Sequence, residues 1–185
     1  GFTPGFAQIL STEDPTTSSG ASLRVYFADA LTHTIDLQYY PAAIGRDHVF
    51  TGISGDAYYP GKLLHIIAEL DVTGINGLMT VWVNGRGFST RTLVNGGGAL
   101  PLGVGGLVTV GAQPDGSQPS SGLAILGVGY RIGAFATANE KIANYIDSYA
   151  TCELQDMGFM AAWRIAEDPG PVWNPFVGVN NMTEI

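Results

Sequence analysis

Alternating apolar and polar residues mark two neighbouring β-strands early in the chain. In "SLRVYFAD" (22–29), Leu23, Val25 and Phe27 fall on one face and the intervening residues on the other. This period of two is typical of a half-buried strand. The stretch "THTIDLQYY" (32–40) repeats it, and Pro41 ends it because proline has no ladder donor. The pattern therefore predicts an antiparallel hairpin.

A second group of strands follows in the middle of the chain. "HIIAELDV" (65–72) and "LMTVWV" (78–83) read as two strands, and Asn84-Gly85 follows the second directly. Because this dipeptide tolerates the positive φ angles of a tight turn, "RGFSTRTL" (86–93) is expected to fold back as the next strand. Two later apolar runs, "LVTVGA" (107–112) and the glycine-punctuated "GLAILGVGYRIGAF" (122–135), complete the predicted strands. The arrangement favours an antiparallel meander.

The hydrophobic period changes from two to that of a helix near residue 140. Thr137 and Glu140 form a capping-box pattern before "KIANYIDSYA" (141–150). Ile142, Ile146 and Tyr149 share one face of this short helix, which we expect to close the β domain.

The residues after Cys152 predict a different kind of segment. Helix could continue through about Ile165, but three prolines between 169 and 175 predict an extended tail. We therefore divide the chain into a β domain, 1–152, and a helical or extended tail, 153–185. The tail's aromatic residues are expected to pack on the same domain or on a neighbouring subunit, as an assembly tail: Trp163, Trp173 and Phe176.

Composition supports an all-β fold and excludes several partners. The 185 residues include 26 glycines, and 45% are hydrophobic. The net charge of −8 repels phosphate backbones, so nucleic acid is not an expected partner. The apolar runs are shorter than the ~18 residues that cross a bilayer, so no membrane insertion is expected. Cys152 is the only cysteine, which rules out an intramolecular disulfide.

Four motifs, in order, resemble those of concanavalin A-like domains of the laminin-G and pentraxin kind. They are "LLHIIAELDVTG" (63–74), "LMTVWVNGR" (78–86), "VTVGA" (108–112) and "GLAILGVGYRIGAFATANEKIANYI" (122–146). The resemblance spans roughly residues 20 to 150 and implies an antiparallel two-sheet jelly-roll sandwich. His65 stands where that family places a structural histidine. Leu64 replaces the family's tryptophan, and Leu126-Gly127 replaces its late acidic pair.

The resemblance also raises the question of catalysis. Jelly-roll β-glucanases of this architecture carry E-[ILV]-D-x-x-E on one strand, and Glu69-Leu70-Asp71 matches its first half. Gly74 stands where the second glutamate belongs, although retaining hydrolysis needs two carboxyl groups ~5 Å apart. The motif is incomplete, so no catalytic residue is predicted. Strand alternation alone also explains the pair, with Glu69 and Asp71 on the outward face.

Two binding chemistries remain open on the predicted loops and strands. Sugar rings stack on aromatic side chains, and the candidates for glycan binding are Tyr39, Tyr40, Tyr58, Tyr59 and Trp82. Calcium takes several converging oxygens, and the candidate loop carboxylates are Asp47, Asp56 and Asp115. Each of these loops offers a single acid in place of a clustered set, so ordinary solvated loops explain them better than calcium does. No cofactor is required by either chemistry.

Two functional classes follow from the sequence. The first is a non-enzymatic structural or adhesion module of an extracellular or virion surface, such as a phage decoration or fibre subunit with glycan-binding capacity. Its expected partners are surface glycans or other virion or surface proteins, including further copies of the chain as a homo-oligomer. The scarcity of lysine, only Lys62 and Lys141, and the aromatic tail favour this class. The second class is a glycan hydrolase or lyase of the same jelly-roll architecture.

Overall fold

The chain forms two compact units, each built from several separate stretches of sequence. The computed structural model describes residues 5–12, 20–27, 33–40, 47–53, 63–72, 77–92, 109–111, 124–159, 161–163, 172–173 and 182–183. Unit 1 comprises Gly1–Lys62, Ile66–Val83 and Gly87–Leu123, and unit 2 comprises Leu63–His65, Asn84–Arg86 and Ala124–Ile185.

A five-stranded sheet dominates unit 1. Its strands are β1 (Gly5–Ser11), β2 (Gly20–Phe27), β3 (His33–Tyr40), β4 (Asp47–Ile53) and β8 (Thr109–Val110), in the order β4-β3-β2-β1-β8. Every pairing in this sheet is antiparallel. The register of β1 against β2 shifts by one residue between Gln8 and Leu10. The predicted hairpin of residues 22–40 is confirmed as β2 and β3.

The central strands of this sheet are buried on both faces. One face carries apolar side chains, with Val25 beside Ile35 and both almost fully buried. The opposite face is polar, and there Arg24 and Asp36 form an ion pair of 3.0 Å that is also buried. The sequence pattern predicts half-buried strands, and this prediction is wrong for β2 and β3 because their polar face is buried as well.

Hydrogen bonds extend the ion pair along the polar face. Gln38 Nε2 donates to the Asp36 carboxylate, and the Tyr40 hydroxyl donates to Gln38 Oε1. Gln8 Nε2 donates to the Leu10 carbonyl oxygen at 2.6 Å. Buried polar groups cost free energy unless they find such partners, so this network is what makes a buried polar face tolerable.

A second sheet of unit 1 has the order β5-β6-β7, from β5 (Ile66–Asp71), β6 (Leu78–Val83) and β7 (Arg86–Thr92). Strand β6 approaches β3 and β4 of the first sheet. Asn84 and Gly85 have φ angles of 50° and 71°, so the predicted tight turn between β6 and β7 is confirmed. The all-β class with antiparallel sheets and one described helix is confirmed to this extent.

Unit 2 holds the described helix and the last strands. Strand β9 (Val128–Tyr130) pairs antiparallel with β10 (Ala161–Trp163), and β11 (Val172–Trp173) pairs with β12 (Met182–Thr183). Gly129 lies opposite Ala162, and a β-carbon there would come within 2.9 Å of the Phe159 ring. Residues 161–163, expected as helix or extended tail, thus form a strand on β9.

Helix α1 (Ala138–Thr151) begins and ends close to the short helix that the sequence predicts. The Thr137 side chain accepts from the Glu140 N–H, and Glu140 accepts from the Thr137 N–H, so the capping box is confirmed. These bonds lower the pKa of the Glu140 carboxyl below its ordinary value. Cys152 ends the helix with a φ of 56°, and the described residues 153–159 and 161–163 do not take the helical alternative.

The buried ion pair generates a stability prediction. Asp36→Ala leaves the Arg24 guanidinium charged inside unit 1, and we expect it to lower the free energy of unfolding by about 3–5 kcal/mol. Replacing both partners, Arg24→Met with Asp36→Leu, removes the charge and its desolvation together, so it is expected to cost much less. Urea denaturation measures both values.

Asp147→Ala, on the exposed surface of α1, is the matched control and is expected to change the free energy of unfolding by less than about 0.5 kcal/mol. An Asp36→Ala cost no larger than that of this control would contradict a stabilising role for the pair.

Candidate functional site

The inner face of helix α1 is polar. Lys141, Asn144 and Ser148 are its buried side chains, spaced at three and four residues so that they share one face. Asn144 Nδ2 donates to the Gln155 carbonyl oxygen at 2.9 Å, and the Gln155 N–H donates to Ser148 Oγ at 3.1 Å. These bonds fix which side of the helix faces the rest of unit 2.

His65 provides the other partner of this inner face. Its Nε2 lies 2.7 Å from Asn144 Oδ1. Because the amide nitrogen of Asn144 already donates to a carbonyl, the oxygen faces the ring and His65 Nε2 carries the proton. The His65 N–H donates to Asn84 Oδ1 at 2.9 Å, and the Asn84 N–H donates to the His65 carbonyl oxygen at 2.8 Å. The expected structural role of His65 fits these contacts.

Burial lowers the pKa of the His65 imidazole below its ordinary value of 6.5, and the hydrogen bond to Asn144 offsets part of that effect. The ring centroid lies 5.9 Å from that of Tyr145, and the Tyr145 ring lies 5.7 Å from that of Tyr149. Tyr145 also packs on the turn, since a β-carbon at Gly85 would come within 2.8 Å of it. Helix α1 is thus held on one side by hydrogen bonds and ring contacts.

The outer face of the helix is apolar and exposed. Ile142, Ile146 and Tyr149 are 40%, 55% and 52% exposed, and we call these three residues the apolar stripe. The apolar side chains that the sequence places together on one face of this helix are therefore not its buried side chains. The reason is geometric: at about 100° per residue, a helix that turns Asn144 inward turns Ile146 outward.

The helix residues beside the apolar stripe are small and uncharged. Asn139, Ala143 and Ala150 lie beside it and are exposed. The helix's exposed acids, Glu140 and Asp147, fall about 100–120° around the axis from Ile146. The stripe therefore presents aliphatic and aromatic carbon that is suited to another protein surface.

A second surface lies on one face of β5 and β6. The strand register places Glu69 beside Thr80 and Ile67 beside Trp82. Thr80 Oγ1 donates to Glu69 Oε2 at 2.6 Å. The Trp82 ring packs against Gly87, where a β-carbon would come within 3.3 Å of it. We call Glu69, Asp71, Thr80 and Trp82 the strand face.

The strand face offers hydrogen-bond acceptors beside an aromatic ring. Glu69, Asp71 and Trp82 are half-buried, and Thr80 is buried. Carboxylates accept from sugar hydroxyls, and an indole ring stacks on the apolar face of a sugar. The strand face therefore combines two kinds of group that contact sugars in proteins, and Glu69 already accepts from Thr80 there. A glucanase would also need a second glutamate, which the sequence replaces with Gly74.

Of the other aromatic candidates, the structure describes Tyr39 and Tyr40. The Tyr39 and Tyr40 side chains are buried in unit 1, which leaves neither ring a face for stacking. Tyr58 and Tyr59 lie outside the described residues. Among the three aromatic candidates that the structure describes, Trp82 alone belongs to the strand face.

The candidate calcium residues and the assembly tail are described only in part. Asp47 begins β4, with its side chain outside the described part, and Asp56 and Asp115 lie outside it altogether. The described residues contain no cluster of three potential metal ligands. Trp163 lies in β10 and Trp173 in β11, again without described side chains, and Phe176 falls outside the described ranges.

The lowered pKa of His65 makes the free energy of unfolding depend on pH. Below about pH 6.5 the unfolded chain takes up a proton at this histidine more readily than the folded chain, so the free energy of unfolding should fall as the pH falls. His65→Gln keeps a nitrogen donor for Asn144 and does not titrate. We expect the wild-type chain to lose more stability than this variant between pH 7.5 and 5.5, by urea denaturation at each pH. Equal losses would contradict the buried neutral ring.

Comparison with known proteins finds no relative of this chain. No protein-family model matches the chain, and neither a curated protein nor a solved structure does. No helix among the described residues is long and apolar enough to span a membrane. The apolar stripe and the strand face are therefore the features that bear on function.

Proposed function

We propose that the protein is a non-enzymatic structural module of a virion or other extracellular surface, and that it assembles through the apolar stripe of helix α1. A concanavalin A-like jelly-roll sandwich is the scaffold in this proposal, as the order of the four sequence motifs suggests. The observation that carries the proposal is the orientation of the helix, whose polar face is buried and whose apolar face is exposed.

The energetic argument rests on what the exposed side chains would gain. Burial of apolar surface contributes roughly 25 cal/mol per Å², and a fully buried isoleucine about 1.5–3 kcal/mol. Single exposed hydrophobic residues are ordinary, but Ile142, Ile146 and Tyr149 are contiguous on one helix face. A partner that covers them recovers burial that the isolated chain forgoes, which favours association.

Adhesion to glycans is a second candidate, and the strand face favours it. Trp82 and the two carboxylates lie together on one side of β5 and β6. The hydrolase alternative has weaker support, since Glu69 and Asp71 supply only half of the glucanase pattern. Calcium would belong to adhesion if the aspartate-bearing loops bind it.

The assembly proposal predicts that association depends on the apolar stripe. We expect the wild-type chain to associate as its concentration rises, and the double variant Ile142→Ser with Ile146→Ser to stay monomeric over the same range. Both residues are exposed, so the free energy of unfolding should change by less than about 0.5 kcal/mol per site. Sedimentation velocity over a concentration series measures the association.

Ile132→Ser is the matched control for this variant. Ile132 is 66% exposed, lies outside the helix and undergoes the same chemical change. It should associate like the wild-type chain. A wild-type chain that stays monomeric throughout, or a double variant that associates as the wild type does, would contradict assembly through the stripe.

The adhesion candidate predicts selective binding on a glycan array, with Trp82→Ala weakening it by about tenfold or more as stacking is lost. Tyr149→Ala removes another partly exposed aromatic side chain and should leave glycan binding unchanged. Thermal melting of each variant shows whether it is folded, and a chelator tests for calcium.

Selective binding that survives Trp82→Ala would contradict the strand face as the glycan site. Turnover of β-glucan that is lost in Glu69→Gln would instead support the hydrolase.

A further inference from the structure

The tight turn after β6 carries a chemically reactive dipeptide. Asn84 is followed directly by Gly85, whose main-chain nitrogen has no neighbouring side chain to shield it. When a hydroxide ion removes the proton from this nitrogen, the nitrogen can attack Asn84 Cγ. The Cγ–Nδ2 bond then breaks, and ammonia leaves with a proton taken from water. The product is a succinimide ring that joins the two residues.

Water opens this ring in two ways. Addition at Cγ gives an aspartate in an unchanged main chain. Addition at the main-chain carbonyl carbon gives an isoaspartate, in which the main chain runs through the side chain and is longer by one carbon. Both products carry one more negative charge than asparagine does. The whole reaction, deamidation, consumes only water, and asparagine is one of the thermolabile residues of proteins for this reason.

We infer that Asn84 is a deamidation site that His65 and helix α1 hold closed, so that it reacts when the helix leaves the turn. The inference concerns a covalent modification within unit 2. It is independent of the proposed function, because neither the apolar stripe nor the strand face takes part in it.

His65 holds the asparagine that would be attacked. Its N–H donates to Asn84 Oδ1 at 2.9 Å, and its carbonyl oxygen accepts from the Asn84 N–H at 2.8 Å. Ring closure needs the Asn84 side chain and the Gly85 nitrogen to move toward each other. The two bonds to His65 oppose that movement, so the reaction needs a local opening of the turn first.

Helix α1 covers the glycine that would attack. A β-carbon on Gly85 would come within 2.8 Å of Tyr145 Cδ1 and 3.3 Å of Tyr145 Cγ, so the tyrosine ring packs directly on this residue. The ring limits the access of water and hydroxide to the Gly85 nitrogen. Both reactants of the cyclisation are therefore restrained, each by a different neighbour.

The two restraints belong to one set of contacts. Asn144, the residue before Tyr145, lies 2.7 Å through its Oδ1 from His65 Nε2. The His65 and Tyr145 rings also lie 5.9 Å apart, between centroids. The helix thus contacts both the residue that holds Asn84 and the glycine that would attack it. Its departure from the turn would loosen both restraints together.

The reaction would make such a departure permanent in part of the molecules. Asn84 and Gly85 both have positive φ angles, 50° and 71°, as a tight turn requires. The additional main-chain carbon of an isoaspartate changes the length of this turn and moves the side-chain oxygen away from the His65 N–H. An aspartate keeps an acceptor oxygen for that N–H, so only the isoaspartate product prevents the helix contacts from forming again.

Deamidation of the full-length chain tests the inference directly. The chain is incubated at mildly alkaline pH, either folded or unfolded in urea, and tandem mass spectrometry of its peptides follows each Asn-Gly pair. We expect Asn84 to react at least about tenfold more slowly in the folded chain, because opening breaks two hydrogen bonds and a ring contact. Equal rates in the folded and unfolded chain would overturn the inference.

The sequence supplies an internal reference for the unfolded rate. Asn76-Gly77 and Asn95-Gly96 are further Asn-Gly pairs, and both asparagines lie outside the described residues. In urea all three pairs should react at similar rates, because the attacking residue is glycine in each.

Three variants of one residue test the part that the helix plays. Tyr145→Ala uncovers Gly85 and should speed deamidation of Asn84 by about threefold or more, as expected for the loss of one aromatic contact. Tyr145→Phe keeps the ring and should react at the wild-type rate. Tyr145→Leu removes the flat ring but keeps an apolar side chain, and it replaces the alanine variant if that variant does not fold. Ile146→Ala, on the exposed side of the same helix, is the control and should not change the rate.

Urea denaturation of each variant separates local from global opening, since it gives the globally unfolded fraction. Acceleration in Tyr145→Ala that exceeds the rise in this fraction, with Tyr145→Phe unchanged, is the expected result. Acceleration that only follows the unfolded fraction, or equal rates in the alanine and phenylalanine variants, would overturn control by the helix.

Discussion

The orientation of helix α1 depends on the hydrogen bonds of one side chain. Asn144 accepts from the His65 ring and donates to the Gln155 carbonyl, so both ends of its amide are used within unit 2. A buried amide left without partners would cost about 1–3 kcal/mol. Because a helix is rigid about its own axis, this one inward side chain also sets the direction of Ile142 and Ile146.

Helix α1 buries its polar face, whereas an amphipathic helix normally buries its apolar face. Here Asn144 donates to Gln155, Ser148 accepts from Gln155, and the apolar face is exposed. In the described part of the chain the apolar stripe is exposed, so it is the face of the helix to which the proposed partner would bind. The scaffold and the docking surface are thus opposite faces of one short element, and their positions are set together.

Local signals predicted the elements better than their surroundings. The period-two strands, the Asn84-Gly85 turn and the Thr137–Glu140 capping box each depend on a few neighbouring residues, and the structure confirms them. Which helix face is buried depends on His65 and Gln155, whose contacts with Asn144 cannot be seen from the sequence near the helix. The spacing of Lys141, Asn144 and Ser148 was the available signal, but polar residues at that spacing normally predict a solvated face. Tyr39 and Tyr40 were misjudged as stacking platforms for the same reason, since alternation does not reveal that both faces of β3 are covered.

The buried ion pair gives the five-stranded sheet a means of fixing its register. Arg24 lies opposite Asp36, while the flanking rows bring Leu23 beside Leu37 and Val25 beside Ile35. A slip of one residue would turn Arg24 toward apolar side chains and leave its charge without the carboxylate. The cost of an unpaired buried charge, several kcal/mol, is large against the net stability of a domain. A strand that is buried on both faces cannot use solvent to distinguish its two sides, so a charged pair on one of them is an effective way to specify which side is which.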